Sequence, residues 1–168
     1  MVARSSPAFE NVVRAYSGNL FRYAYWQCRD RFLAEDLVQE TFTRAWKAWP
    51  TLHSQEAVKS WLYSILRHEI ARLYERKRLG IDPDRDLDEL RGEGPADPSV
   101  AIEMREALQE LPLAYREPLL LQVLGGFSCE EIARELSITP AAVMTQVFRA
   151  RQKLKSMLGG EAAQAQIS

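Results

Sequence analysis

At 168 residues, 46% hydrophobic and 27% charged, the chain can bury one or two cores, and its net charge of −1 marks neither a polycation nor an acidic tail. Cys28 and Cys129 stand about a hundred residues apart, and His53 and His68 are the only histidines. This argues against a disulfide framework, a zinc site and a catalytic cluster, so no metal and no cofactor are expected. No run approaches the ~20 apolar residues of a membrane span and no charged-then-apolar leader opens the sequence, so the expectation is a cytoplasmic protein without membrane insertion of its own.

The charge is unevenly spread. Residues 1–80 hold thirteen Lys/Arg against eight Asp/Glu (net +5), residues 81–98 hold two against seven (net −5), and the remainder is close to neutral with seven against eight. In chain order, a first helix is expected from Phe9, where Phe9, Val12, Val13, Tyr16 and Leu20 recur at spacings of three and four. A second starts at Ala34 and carries Leu37, Val38, Phe42, Ala45, Trp46 and Trp49; Pro50 ends it. A third starts at Val58 and carries Trp61, Leu62, Ile65, Leu66, Ile70 and Leu73. Each set forms one apolar stripe. Residues 80–99 then hold three glycines, three prolines and most of the acid, too little apolar surface to offset the entropy of ordering them, and read as a linker. Beyond it, helices are expected over 100–110 and 115–124, the latter starting late or kinking at Pro118, which lacks the N–H of a helix interior. No segment alternates as a strand does.

The final stretch, "FSCEEIARELSITPAAVMTQVFRARQKL", reads as two tightly joined helices. Gly125 and Gly126 stop the preceding helix; Ser128 and Glu131 have capping-box spacing; Thr139 caps a second helix whose first position is Pro140. Val143, Val147, Ala150 and Leu154, with Leu158, supply its buried face. The opposite face shows Ala141, Ala142, Thr145, Gln146, Arg149, Gln152 and Lys153. Arg149, Arg151, Lys153 and Lys155 give this helix four positive charges and no negative one. A short capped helix, a tight turn and a second helix make a helix-turn-helix, whose second helix can enter a major groove. An ordinary helical hairpin with a solvated basic end fits the same residues.

The stretch "LPLAYREPLLLQVLGGFSCEEIARELSITPAAVMTQVFRARQKL" resembles the promoter-binding C-terminal domain of extracytoplasmic-function (ECF) sigma factors of the sigma-70 family, and "AEDLVQETFTRAWKAW" followed by "SWLYSILRHEIARLYERKR" resembles their N-terminal domain. The two signatures stand in the family's order and cover nearly the whole chain. The resemblance implies an all-α protein of two small helical domains joined by a flexible acidic linker: 1–79 for polymerase and the −10 element, 80–99 as linker, 100–160 as the helix-turn-helix domain for the −35 element, and 161–168 as tail. It implies core RNA polymerase, promoter DNA and an anti-sigma factor as partners, and no catalysis. Within "DLVQETF", the strip of Glu35, Asp36, Gln39 and Glu40 would dock on the polymerase clamp helices. Leu52, His53, Lys59, Trp61, Arg67, His68, Arg72 and Arg76 would serve the −10 element, cations on phosphates and aromatics under unstacked bases. Ala141, Ala142, Thr145, Gln146, Phe148, Arg149 and Arg151 would serve the −35 element.

Three residues depart from the family pattern. His68 replaces a frequent asparagine, which bears on the preferred −10 sequence; Met144 and Gln146 replace frequent Lys or Arg, which either weakens −35 binding or lets Gln146 read adenine. The acidic linker is read equally as a nucleic-acid mimic in a basic channel and as a soluble tether. The competing functional readings are a conventional helix-turn-helix regulator that binds DNA without polymerase, and a helical adaptor that binds only proteins.

Overall fold

The computed structural model describes residues 7–52, 54–80 and 98–159, and every regular element among them is helical. The chain divides into two compact units, Met1–Arg91 and Gly92–Ser168. The expected acidic linker falls, over 81–97, outside the described residues, as do His53 and the tail from 160 onward.

The first unit packs α1 (Pro7–Cys28), α2 (Arg31–Ala48) and α3 (Val58–Arg78) against one another. Their apolar stripes meet in a core of Leu20, Tyr23, Ala24, Leu33, Ala34, Leu37, Leu62, Tyr63 and Leu66, all buried. α1 runs two turns past Leu20, where the sequence stripe was expected to end. The continuing face carries Tyr23 and Gln27, whose polar atoms interrupt the apolar pattern but satisfy each other: Gln27 Nε2 donates to the Tyr23 hydroxyl at 3.1 Å. α2 starts at Arg31, ahead of Ala34, because Asp30 caps it by accepting from the Leu33 backbone N–H at 3.1 Å. The preceding residue, Arg29, takes the left-handed conformation (φ 61°) that reverses the chain. Tyr74, near the end of α3, donates to the Gln27 carbonyl at 2.7 Å and so ties the C-terminal ends of α1 and α3 together. Tyr23 and Tyr63 meet edge to face at 5.5 Å. Burial pushes the Tyr63 phenol up to about 12, a rise that the nearby Arg22 charge partly opposes.

α2 ends at Ala48, and Trp49–Thr51 forms a single 3₁₀ turn containing Pro50. A second such turn, Gln55–Ala57, leads into α3. Aromatic rings gather beside this connection. Phe9 lies 5.0 Å from Trp46 and 5.2 Å from Trp49, and Trp49 lies 6.3 Å from Trp61.

The second unit contains α4 (Pro98–Glu110), α5 (Leu113–Val123), α6 (Cys129–Leu136) and α7 (Pro140–Met157). α4 begins at Pro98, inside the stretch read as linker. α5 corrects the reading of a late start at Pro118: it begins at Leu113, and Pro118 lies buried in its second turn. Leu119, Leu120 and Leu121 follow it into the core, and burying that run outweighs the lost N–H. Gly125 and Gly126 then turn the chain, with Gly126 at φ 67°. The turn folds Phe127 inward, where its backbone N–H donates to the Leu121 carbonyl at 3.1 Å.

Candidate nucleic-acid interface

The helix-turn-helix is built by local hydrogen bonds that its sequence specifies. Glu131 N–H donates to Ser128 Oγ at 3.1 Å and Ser128 N–H donates to Glu131 Oε1 at 3.0 Å, a complete capping box at the start of α6. Ser137 leaves α6 in the left-handed conformation (φ 57°), and Ile138 N–H returns to the Ala133 carbonyl at 3.0 Å. Thr139 Oγ1 then accepts from Ala142 N–H at 3.1 Å, and Pro140 opens α7. Only Ser137, Ile138 and Thr139 separate the two helices. Val143, Val147, Ala150 and Leu154 fix α7 against its unit from the inside.

That anchoring leaves Ala141, Met144, Thr145, Phe148, Arg149, Gln152 and Lys153 exposed. Basic side chains occupy only the C-terminal half of α7, from Arg149 on, and no acid lies on the helix. A cationic, acid-free helix with one face exposed suits a polyanion.

In the first unit, α2 and α3 enclose a groove of about 500 Å³ lined by both signs of charge, including Asp36, Glu40, Arg44, Glu69, Arg72 and Arg76. Arg44 joins its walls. Its Nε lies 3.0 Å from Glu40 on its own helix and 2.7 Å from Glu69 on α3. Glu69 also receives Arg72 at 3.5 Å, and its side chain is only 11% exposed. A carboxylate so placed holds two guanidinium groups in register across the groove.

The sequence model of Sigma-70 region 2 matches residues 12–79, and that of Sigma-70 region 4 matches residues 101–154. The ECF RNA polymerase sigma factor SigM of Bacillus subtilis (strain 168) is 30% identical over 155 residues, covering 88% of this chain and 93% of the relative. The chain belongs to the ECF RNA polymerase sigma factors. RNA polymerase sigma factor SigV of the same organism is 29% identical, over 85% of this sigma factor and 86% of that one. Among solved structures, CnrH in complex with the cytosolic domain of CnrY matches with a TM-score of 0.72 at 25% identity, covering 93% of the sigma factor and 91% of CnrH. The sigma factor RpoE in complex with the anti-sigma factor NepR from Bartonella quintana has the same fold, with a TM-score of 0.77 at 23% identity over 93% of this chain and 99% of that one.

Within the sigma factor, the four strip residues Glu35, Asp36, Gln39 and Glu40 are all exposed on α2, above buried Leu37 and Val38. Glu35 is paired with Arg31 at 3.4 Å. Two of them, Asp36 and Glu40, share the α2–α3 groove with Arg72 and Arg76, which the sequence reading had assigned to DNA. Trp61, His68, Arg72 and Arg76 recur along one side of α3 at spacings of seven, four and four. His68 is exposed, with Nδ1 2.7 Å from the Ser64 carbonyl, while Trp61 is half-buried beside Trp49. Lys59 and Arg67 lie half-buried elsewhere on α3, and Leu52 is half-buried at the end of the first 3₁₀ turn.

On α7 the expected −35 residues divide. Ala141, Thr145, Phe148 and Arg149 are exposed and Ala142 is half-buried. Gln146 is turned inward, with Oε1 buried and no hydrogen-bond partner in the structure. Arg151 donates to Gln122 of α5 at 2.9 Å, so its guanidinium is engaged inside the domain. The sequence reading missed two features of the first unit. Arg44 was visible four residues after Glu40, but its link to Glu69 arises only from helix packing. Phe32, 55% exposed beside the acidic strip, breaks the apolar stripe and carried no signal.

Proposed function

We propose that this chain is a dissociable specificity subunit of RNA polymerase, working in the cytoplasm and catalysing no reaction of its own. The observation that carries the reading is the pairing, in one chain, of a capped helix-turn-helix presenting a cationic, acid-free α7 with a separate three-helix unit presenting an acidic α2 strip. Glu35, Asp36, Gln39 and Glu40 dock on the polymerase. The exposed side of α3, with His68, Arg72 and Arg76, takes the −10 strand, Lys59 and Arg67 add charge from elsewhere on the helix, and Leu52, His53 and Trp61 are assigned to receiving an unstacked base. Ala141, Ala142, Thr145, Phe148 and Arg149 read the −35 duplex, with Arg151 steadying α7 from behind through Gln122. An anti-sigma partner covers these surfaces when the factor is silent; the solved complexes of RpoE with NepR and of CnrH with CnrY support that reading. The test is reconstitution. Purified protein mixed with core polymerase should comigrate with it and yield discrete runoff transcripts from a genomic fragment library. Comigration without promoter selectivity, or no comigration at all, defeats the proposal.

A further inference from the structure

We propose that Met144 and Phe148 select the −35 element by packing on thymine 5-methyl groups in the major groove, an inference that rests on the α7 assignment above. The two side chains stand four residues apart on one face of α7, and each is 61% exposed. They are the most exposed large apolar side chains on that helix, ahead of Met157 near its end. Around them the hydrogen-bonding repertoire is thin. Ala141 offers only a methyl, and Gln146 Oε1, one half of the two-bond contact that identifies adenine, is buried in this structure. Arg151 is held by Gln122. Thr145 and Arg149 remain as the polar readers of the exposed stripe's first ten residues.

The occupant follows from charge. α7 carries four cations, no anion, and its cations begin at Arg149, immediately beyond the apolar pair. A neutral first half followed by a basic second half matches a groove floor bordered by phosphates. An apolar protein partner seated on the Met144–Phe148 side would leave exposed Lys155, three turns along the same side, facing it without counter-charge. In the major groove floor the apolar feature is the thymine methyl. Covering one methyl is worth about fourfold in affinity.

The experiment uses the full chain assembled with core polymerase. Promoter duplexes selected from a random upstream library are resynthesised with deoxyuridine replacing thymidine, one position at a time. The wild type should lose about fourfold at one or two −35 positions and nothing elsewhere. Met144→Ala and Phe148→Ala should each abolish the thymine-over-uracil preference at one position; both sites are exposed, so the fold is retained. Arg149→Ala should weaken both duplexes equally and keep the preference. Equal affinity for thymine and uracil at every position, in an assembly that still depends on its −35 sequence, overturns this inference and leaves the α7 assignment standing. No dependence on upstream sequence at all removes the assignment itself. Loss of polymerase binding in Met144→Ala or Phe148→Ala, with methyl preference intact, assigns the pair to a protein partner and also overturns the inference.

Discussion

Adding one methyl group at Gly125 should loosen the whole helix-turn-helix. A Cβ built there falls 2.7 Å from the Leu121 carbonyl oxygen, 2.7 Å from Phe127 Cδ2 and 2.8 Å from Phe127 Cε2. One of these obstacles is backbone, and it is the oxygen that accepts from Phe127 N–H at 3.1 Å. Phe127 is itself 3% exposed and has no room to swing aside. Gly125→Ala must therefore shift the end of α5, stretch that hydrogen bond and expel part of the ring, at about 2–3 kcal/mol. A unit of this size has roughly 4–10 kcal/mol in all, so the loss is large. The assay follows from the composition: Trp26, Trp46, Trp49 and Trp61, the four tryptophans, all lie in the first unit. Amide hydrogen exchange in α6 and α7 should accelerate roughly thirtyfold to more than a hundredfold, while the tryptophan-monitored urea midpoint stays fixed. Gly126→Ala, where a φ of 67° disfavours a side chain, should give a smaller acceleration of about fivefold to tenfold. Exchange within threefold of the wild type in Gly125→Ala, or a tryptophan midpoint that moves with it, would refute the packing argument.

Four further outcomes are expected. The raised Tyr63 phenol stays neutral in the fold after the unfolded phenol begins to ionise near pH 10, so stability is level below pH 10 and falls as pH rises toward 12; the drop, about 2–3 kcal/mol, should vanish in Tyr63→Phe when urea midpoints are followed by tryptophan emission. Ser128→Ala removes the hydroxyl half of the capping box and should cost about 1 kcal/mol, seen as faster exchange in α6 before α3. Asp36→Lys with Glu40→Lys should weaken assembly with core polymerase at least tenfold without changing helix content, measured by titration and circular dichroism. Arg149→Ala should weaken binding to the upstream duplex and lower the slope of log affinity against log salt by about one if the guanidinium meets a phosphate.

Periodicity made the helices of both units legible, because Leu62, Leu66 and Ile70 on α3, and Val143, Val147, Ala150 and Leu154 on α7, repeat at the spacing of one buried face. The caps at Ser128, Glu131 and Thr139 were legible for a stronger reason: their bonds run to neighbours three residues away, and sequence distance is then spatial distance. What depended on tertiary packing was not legible. Nothing in the sequence pairs Arg44 with Glu69, or Tyr74 with the Gln27 carbonyl, since those partners meet only after α1, α2 and α3 have docked. Gln146 and Arg151 fall among outward residues by periodicity, yet each sits at the margin of its face, where a long side chain can turn either way. Pro118 misled for the opposite reason. A local rule disfavours it, and the burial of its leucine neighbours overrides the rule.

The interleaving along α7 has an evolutionary corollary. The side chains that seat the helix, Val143, Val147, Ala150 and Leu154, are a different set from those that look outward, so on the proposed −35 reading target preference can change at 141, 144, 145, 148 and 149 without disturbing the seat. The same separation makes the helix a natural cassette. Exchanging those five positions between paralogues should transplant one factor's address onto another's body, giving orthogonal factors that share a single polymerase.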